Sequence, residues 1–431
     1  MLPRFEVVAR RRPVDLVGVE ADVARVGAPY VAVEAVPAGP ARLVLTSGGV
    51  ELVGAWDGER CQLQVLAGGR TTRHRTRRDA RAPQPVDGLG LSLTGRHLTV
   101  LTRHGAVWTA RGRVNLSTRV DTLDETWLAG LAADADGEVG DVRRGTFGQL
   151  GLRDLRVVTH TDGTAYREGA EVLLTATSAG PGFFDTAHTS VWSLHLGSLD
   201  LRHRSDLFFR RPERPGVYGD HATHLLRDAD RWLVATSTWG DFDPRVTGAS
   251  VAVSLAETGA DLLTGQHVLD TRRLALPTTG LRSVGVWDPH LVRSGEGWLV
   301  AYVNATRFFR FHPVLATGPD LDHLTVRAST DRVATEGPTL LRLGERWLVA
   351  ASDGRAGREG QRRAYPVFDL DLQQVTEIEA EYPTNIPWPT LVEVEPGGGD
   401  WRMIGFDGTS YGGRLVGYGS HGDVVVQRPV R

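Results

Sequence analysis

Short runs of alternating apolar and polar residues, separated by turns, cover most of this chain. Val, Leu and Thr alternate with polar residues, and clusters of Gly, Asp and Pro interrupt the runs every ~8 to 15 residues. A side-chain period of two is typical of β-strands that are buried on one face, whereas the 3.6-residue period of helices is scarce here. The pattern therefore predicts an all-β protein.

The first part of the chain, residues 1–140, shows such strands without a long internal repeat. Alternating faces joined by Gly-Arg and Asp-Gly turns predict an antiparallel β-sandwich. The run 88–110 resembles laminin-G or concanavalin-like sandwiches, which implies an accessory role beside a carbohydrate-active domain. A sandwich that only buttresses its neighbour is the alternative. The polar, glycine-rich stretch 134–145 predicts the domain boundary, so that a second domain spans 146–431. Predicted strands begin at Phe5, Tyr30, Ala41, Val50, Cys61, Leu89, His97, Ala106 and Trp127.

The second part of the chain contains an internal repeat. Segments 225–235, 291–301 and 340–350 share an Arg five positions before a Trp, with Leu-Val-Ala after the Trp. Looser copies lie at 155–177 and 390–406. The copies are spaced ~50–70 residues apart, which is enough chain for one four-stranded blade each. Because one blade cannot bury both of its faces alone, five copies predict a five-bladed β-propeller over 146–431.

Composition narrows the possible functions. Net charge is −3, which gives no electrostatic signature of a nucleic-acid or membrane partner. All 49 basic residues are Arg, so lysine Schiff bases and P-loop lysines are excluded. Cys61 is the single cysteine, which excludes an intrachain disulfide and a cysteine-based zinc site. The N-terminus lacks the apolar core of a signal peptide, so we expect a cytoplasmic protein. Nothing in the pattern indicates its oligomeric state.

Carboxylates stand just ahead of the repeated strands. Asp154, Asp220, Asp288 and Glu336 each precede such a strand by three to five positions, whereas the fifth copy offers Pro387 and Trp388. The first strand of a propeller blade lies along the central axis, so we expect these side chains at one tunnel mouth. Like charges repel, and no lysine offsets them, which favours a chemical use for the cluster.

These motifs resemble the five-bladed glycosidases of glycoside hydrolase family 43 and its clan relatives in families 32 and 68. Trp287-Asp288-Pro289-His290 before a Gly-Trp-Leu-Val strand is similar to their third blade. Thr335-Glu336-Gly337-Pro338 is similar to their fourth, and Asp154 lies where the first-blade base would be. The resemblance covers about two-thirds of the chain. It implies that Glu336 is the general acid, that Asp154 is the general base or nucleophile, and that Asp288 orients Glu336.

The resemblance implies an arabinofuranosidase-like or xylosidase-like glycosidase that cleaves a furanoside or pentoside in an oligosaccharide or polysaccharide. Family 43 usually has Pro after the first-blade Asp, and here Leu155 follows, so Asp220 is a rival for the base. The Asn-Asp-Pro-Asn-Gly pattern of family 32 is absent, which disfavours a fructosidase. Some relatives hold calcium in the tunnel. The acidic residues would permit it, although we expect no required cofactor.

Other rim residues are candidates for substrate binding. Tryptophans can stack on sugar faces, as Phe183 and Phe184 also can, and histidines and arginines can bind hydroxyl or phosphate groups, but each type is also common in packing. Arg153, Arg307 and Arg310 leave a glycoside phosphorylase open, and a non-catalytic carbohydrate-binding propeller is the third possibility. The substrate-binding candidates are Asp220, His221, Trp239, Trp287, His290, Arg307 and Trp388.

Overall fold

The computed structural model describes residues 2–76, 78–295, 297–413 and 421–430. Its strands form six sheets, and the fold is all-β, as predicted. The helical segments of this part of the chain are α1 (Glu125–Ala129) and two 3-10 turns, Val23–Arg25 and Phe184–Thr186. No helix among the described residues is long and apolar enough to cross a membrane.

The N-terminal sheet contains nine strands. Its order is β6-β5-β4-β3-β7-β8-β9, and β10 pairs with both β2 and β3. The two halves of this sheet fold over a shared core, in which Leu63 of β5 packs with Val100 of β8. Hydrogen bonding thus joins one continuous sheet where two separate sheets were expected, and the sandwich prediction is not confirmed. The strands are β2 (Asp15–Glu20), β3 (Tyr30–Ser47), β4 (Val50–Trp56), β5 (Cys61–Ala67), β6 (Arg70–His74), β7 (Gly88–Thr94), β8 (His97–His104), β9 (Val107–Asn115) and β10 (Ala132–Gln149).

Two local expectations for this sheet are wrong. The strand predicted from Trp127 is the helix α1, because the Asp124 carboxylate accepts a hydrogen bond from the Trp127 N–H at 2.8 Å and caps the helix start. The predicted boundary at 134–145 lies inside β10, which pairs with β3. The segment is polar because most of its side chains face solvent. It is still a strand, since the hydrogen bonds between strands are made by the backbone and need no apolar side chains.

The remaining strands form five sheets, here called ring sheets 1 to 5, in a propeller-like arrangement. The strands of ring sheet 1 are β11 (Leu152–Val157), β13 (Arg167–Glu168), β14 (Glu171–Ser178), β15 (His188–His195), β16 (Leu201–Arg211), β17 (Arg214–Tyr218) and β21 (Gly265–Asp270). Those of ring sheet 2 are β12 (Thr159–His160), β18 (His221–Asp228), β19 (Arg231–Ser237), β20 (Val253–Thr258) and β22 (Arg272–Leu274).

Ring sheets 3 to 5 each have four strands. They are β23 (Gly285–Ser294), β24 (Gly297–Arg307), β25 (Arg310–Gly318) and β26 (Thr325–Ser329); β27 (Thr335–Leu343), β28 (Arg346–Asp353), β29 (Pro366–Phe368) and β30 (Gln374–Glu377); and β31 (Thr390–Glu393), β32 (Trp401–Asp407) and β33 (Asp423–Pro429) with β1 (Phe5–Arg11). The strand of each ring sheet that begins the repeated hairpin, β11, β18, β23, β27 or β31, is here called its first strand. First strands of neighbouring sheets contact each other, β11 with β18 and β31, and β23 with β18 and β27. Trp388, just before β31, lies against Gly337 of β27.

Strand β1 does not join the N-terminal sheet, although the sequence pattern places residues 1–140 in one domain. It pairs antiparallel with β33, and its Phe5 lies opposite Pro429. β33 would otherwise present an unpaired edge, and β1 covers that edge while Phe5 and Ala9 become buried. The chain termini thus meet in ring sheet 5.

The repeated Arg–Trp spacing has a packing explanation. In three ring sheets the Arg and the Trp lie directly opposite each other across the hairpin of the first two strands, where cross-strand side chains touch. Their guanidinium-to-indole distance is 4.8 Å in ring sheet 2 and 5.0 Å in ring sheet 3. The pairs are Arg227 with Trp232, Arg293 with Trp298, and Arg342 with Trp347.

Candidate active site

A bulge interrupts the first strand of ring sheets 1 to 4. Pairing with the second strand skips two residues there, and one of the two has a left-handed backbone. A bulge bends the strand and re-aims its side chains, and a non-glycine residue in this conformation costs about 1–2 kcal/mol. The left-handed residues are Asp154 (φ 51°), Ala222 (φ 59°), Asp288 (φ 55°) and Gly337 (φ 65°). Two of the predicted catalytic residues, Asp154 and Asp288, therefore have this strained backbone conformation.

The bulges border a cavity of about 350 Å³. Asp154, Asp288 and Glu336, from ring sheets 1, 3 and 4, all line it. Asn385 lines it as well, and so do four predicted substrate-binding residues, His221, Trp239, Trp287 and Trp388. The other lining residues are Phe183, Phe184, Ala222, Phe242, Phe308, Phe309, Phe311 and Ile386. The structure thus brings together the three carboxylates named from the sequence.

Glu336 is held by a neighbouring sheet. The indole N–H of Trp287 donates to Glu336 Oε1 at 2.8 Å. Removal from water raises the pKa of Glu336 from 4.5 to about 7, the charge on Asp154 adds to the increase, and the Trp287 bond and Arg153 oppose it. A carboxyl group with a pKa near neutrality can donate a proton at neutral pH.

Asp288 lies beside this acid and is buried. Its Oδ2 accepts a hydrogen bond from the N–H of Gly337, the residue after Glu336, at 3.4 Å. Burial raises the pKa of Asp288 well above its ordinary value, and Glu336 and Asp154 raise it further. Asp288 therefore contacts the backbone that carries Glu336.

Arg156 is a site residue that sequence reasoning missed. Its guanidinium is buried and donates to Pro338 O at 3.0 Å, Thr339 Oγ1 at 3.1 Å and Asp288 O at 3.1 Å. Burial lowers the pKa of Arg156 to about 10, while Asp288 and Asp154 oppose this effect. The signal was available in the repeat, because Arg156 stands one position before Val157 as His224 stands before Leu225.

His221 reaches the cavity as a neutral side chain. Its Nδ1 lies 3.0 Å from Gly219 O, and burial lowers the pKa of His221 to about 4. A neutral imidazole that donates through Nδ1 leaves Nε2 as an acceptor, which suits a substrate hydroxyl.

His290 lies among the first strands of the ring sheets and outside the cavity lining. Its ring stacks on His224 at 4.0 Å, and its Nδ1 accepts from the Leu340 N–H at 3.3 Å. His224 accepts from the Leu291 N–H in the same way at 3.1 Å. Burial lowers the pKa of both histidines, so they are neutral links between neighbouring strands. The structure does not bring His290 to the substrate.

Asp220 and Arg307 also lie outside the cavity. Asp220 is buried, and Arg211 Nε donates to its Oδ2 at 2.8 Å. It stands two positions before Ala222, and Ala222 occupies the place that Asp154 and Asp288 hold in their sheets. Arg307 is exposed at the end of β24, and the phenylalanines that follow it line the cavity instead.

The described residues give no support to the calcium ion that the sequence permits. No group of three or more His, Cys, Asp or Glu side chains in this part of the chain is placed to hold a metal. Arg156 already supplies a positive charge beside Asp288.

Comparison with known proteins gives distant structural similarity. No family model matches the chain, and no curated protein matches it. A Bombyx mori GH32 β-fructofuranosidase is 15% identical over 64% of this chain and 60% of that chain, with a TM-score of 0.41. Bacillus subtilis levansucrase is 9% identical over 65% and 84%, with a TM-score of 0.45. An exo-β-1,3-galactanase from Clostridium thermocellum is 11% identical over 64% and 63%, with a TM-score of 0.39. At these scores the similarities assign neither a family nor a substrate.

Proposed function

We propose that this protein is a glycosidase that hydrolyses a furanoside or pentoside bond by carboxylic acid and base catalysis. The observation that carries the proposal is the meeting of Asp154, Asp288 and Glu336, from three ring sheets, in one cavity. Among them, Glu336 has a pKa of about 7, which suits a general acid at neutral pH.

Each of the three carboxyl groups has a separate role in the proposed reaction. Glu336 protonates the departing glycosidic oxygen, and Asp154 either activates water or attacks the anomeric carbon. Asp288 positions Glu336 through the Gly337 N–H. Negative charge at Asp154 also stabilises the positive charge that develops on the sugar ring. The configuration of the first-formed sugar, read by NMR, distinguishes the two roles of Asp154.

The proposal includes the architecture. We interpret ring sheets 1 to 5 as the blades of a five-bladed propeller, with β1 completing the fifth. The contacts between first strands and the Trp388–Gly337 contact support this interpretation. Arabinofuranosides and xylosides are the proposed sugar classes.

Hydrolysis fits the described cavity better than phosphorolysis does. A phosphorylase needs a basic pocket for phosphate, and no arginine is among the described residues that line the cavity. Arg307 and Arg310 are exposed, and Arg153 lies over the ring of Phe406 at 4.7 Å. A site that only binds sugar would gain little from buried carboxyl groups whose ionisation burial makes costly.

The test is turnover of nitrophenyl arabinofuranosides and xylosides, and of arabinan, xylan and fructan oligomers, with and without phosphate. We expect phosphate-independent activity that falls about 10²–10⁴-fold in Glu336→Gln on the oligomers, whose leaving groups need a proton, and less on the nitrophenyl glycosides. The exposed-site variant Glu213→Gln is the matched control and should keep full activity. Full activity of a correctly folded Glu336→Gln variant would exclude the assignment of the acid, and strict dependence on phosphate would favour the phosphorylase.

A further inference from the structure

One side of the cavity is built of phenylalanine rings. Phe183 and Phe184 follow β14, Phe242 follows β19, and Phe308 and Phe309 form the turn between β24 and β25. Centroid distances are 4.2 Å from Phe183 to Phe184, 6.0 Å from Phe184 to Phe242, and 4.7 Å from Phe242 to Phe308. The rings come from three ring sheets and form one continuous surface, here called the phenylalanine wall.

Phe309 is the most exposed part of this wall. Its side chain is 67% exposed, and its backbone has a φ of 65°. An apolar ring in water is unfavourable, and a left-handed backbone at a bulky residue adds strain. An apolar group that covers the ring would relieve the first of these costs. The turn thus presents an uncovered aromatic face beside the catalytic carboxylates.

The wall is poorly suited to a second sugar. A sugar carries hydroxyl groups around its ring, and each one that loses water must find a hydrogen-bond partner. Phenylalanine offers none. The described polar side chains of the lining are Asp154, His221, Asp288, Glu336 and Asn385, together with the tryptophan indoles. One sugar placed over these groups leaves the phenylalanine wall for the group on the other side of the scissile oxygen.

We propose that this leaving group is an aromatic or similarly apolar aglycone, so that the protein acts on aryl and arylalkyl glycosides in preference to oligosaccharides. The inference rests on the proposed glycosidase function and names its substrate class. In the reaction, Glu336 gives its proton to the bridging oxygen, the bond from that oxygen to the anomeric carbon breaks, and water adds its oxygen to that carbon while a carboxylate of the site takes up the proton that the water loses. The products are the free sugar and an apolar alcohol or phenol.

The test compares leaving groups of similar acidity on one sugar. A 2-phenylethyl glycoside and a disaccharide both release an aliphatic alcohol, so a difference reports the apolar contact and not bond lability. We expect kcat/KM at least tenfold higher for the 2-phenylethyl glycoside. Phe309→Ser should lower this ratio several-fold. Val375→Ser, at an exposed apolar residue of β30, is the matched control and should leave the ratio unchanged.

Binding of the free aglycone gives a readout without turnover. Titration of 2-naphthol into the wild-type protein should quench fluorescence of the cavity tryptophans, and Phe309→Ser should weaken the apparent affinity. Equal turnover of the two glycosides would overturn the aglycone inference and leave the glycosidase function standing. Binding of 2-naphthol without turnover of any glycoside would overturn the glycosidase function, and with it the leaving-group assignment, and would leave only an aromatic-binding wall. Absence of both would overturn both.

Discussion

The hydrogen bond from Trp287 to Glu336 shows how one residue sets the chemistry of another sheet. Burial alone would raise the pKa of Glu336 further, and the indole N–H opposes this because it stabilises the carboxylate. The resulting pKa of Glu336 lies near 7. One residue of ring sheet 3 thus tunes the proton donor of ring sheet 4.

Replacement of Trp287 should therefore shift the pH profile. In Trp287→Phe the stabilising donor is lost, so the pKa of Glu336 rises and the alkaline limb of kcat/KM moves up by about 0.5–1 pH unit. The limb is read from initial rates between about pH 5 and 10. Trp232→Phe, in the packing pair of ring sheet 2, is the control and should leave the limb in place. An unmoved limb in Trp287→Phe would show that Glu336 does not set it.

Glu336 should also make stability depend on pH. Its folded-state pKa of about 7 lies above the value of 4.5 expected in the unfolded chain, so the folded state holds more protons between these values. Stability contributed by the neutral acid is present below about pH 4.5 and is lost as pH rises through 7. At pH 8, Glu336→Gln should be more stable than wild type by up to about 3 kcal/mol. Urea unfolding of both proteins at pH 4.5 and 8 measures this difference, and a constant difference would contradict the expectation.

At the scale of elements, the bulge decides which sequence candidates reach the site. Asp154 and Asp288 are predictable because they stand three positions ahead of Val157 and Leu291 in the repeated strand. Asp220 stands two positions further out, and because its backbone precedes the bulge its carboxylate pairs with Arg211. Periodicity does not reveal a bulge, because both strands remain alternating on either side of it.

Phe183 and Phe184 of the phenylalanine wall were candidates from the sequence, whereas Phe242, Phe308 and Phe309 were missed for a related reason. The sequence favours Arg307 and Arg310 as ligand-binding residues because both are charged and lie at the predicted rim of the propeller. The turn between them instead directs Phe308 and Phe309 into the cavity lining. The direction of a two-residue turn depends on the twist of the flanking strands and on packing against Phe242. Those contacts join residues that are far apart in the chain.

The left-handed residues predict opposite effects of two small substitutions. Ala222→Gly removes the strain of a left-handed alanine and should stabilise the protein by about 0.5–1 kcal/mol. Gly337→Ala should destabilise it by about 1–3 kcal/mol, because an added Cβ would lie 2.5 Å from the Trp388 ring. Thermal unfolding of the two variants beside wild type measures both, and the same sign in both would contradict the role of the bulge.

At the scale of the whole molecule, the repeat was enough to predict the propeller-like ring but not its closure. The repeated hairpins of ring sheets 2, 3 and 4 each contain an Arg–Trp pair, so a local sequence pattern reveals these sheets. Strand β1 has seven residues and no repeat signature, and its partner β33 lies at the other end of the chain. Long-range pairing of this kind leaves no local pattern to find.

Deletion of β1 should therefore weaken the entire ring. A protein starting at residue 12 exposes the β33 edge and loses the buried Phe5 and Ala9, so we expect a lower Tm and loss of glycosidase activity in parallel. A peptide of residues 1–12, added in excess, should restore part of the Tm by mass action. A scrambled peptide of the same composition is the control. An unchanged Tm after deletion would show that β1 is dispensable.

The pairing of β1 with β33 also has a consequence for synthesis on the ribosome. Glu6 and Arg428, which are hydrogen-bonded in the folded protein, are separated by 422 positions in the chain. At about 5–20 residues per second, β1 waits roughly 20–85 s for its partner to be made. The N-terminal sheet can be completed during this interval, whereas the ring cannot. A product that ends before β33 would keep an open strand edge, which marks it for capture by chaperones or proteases.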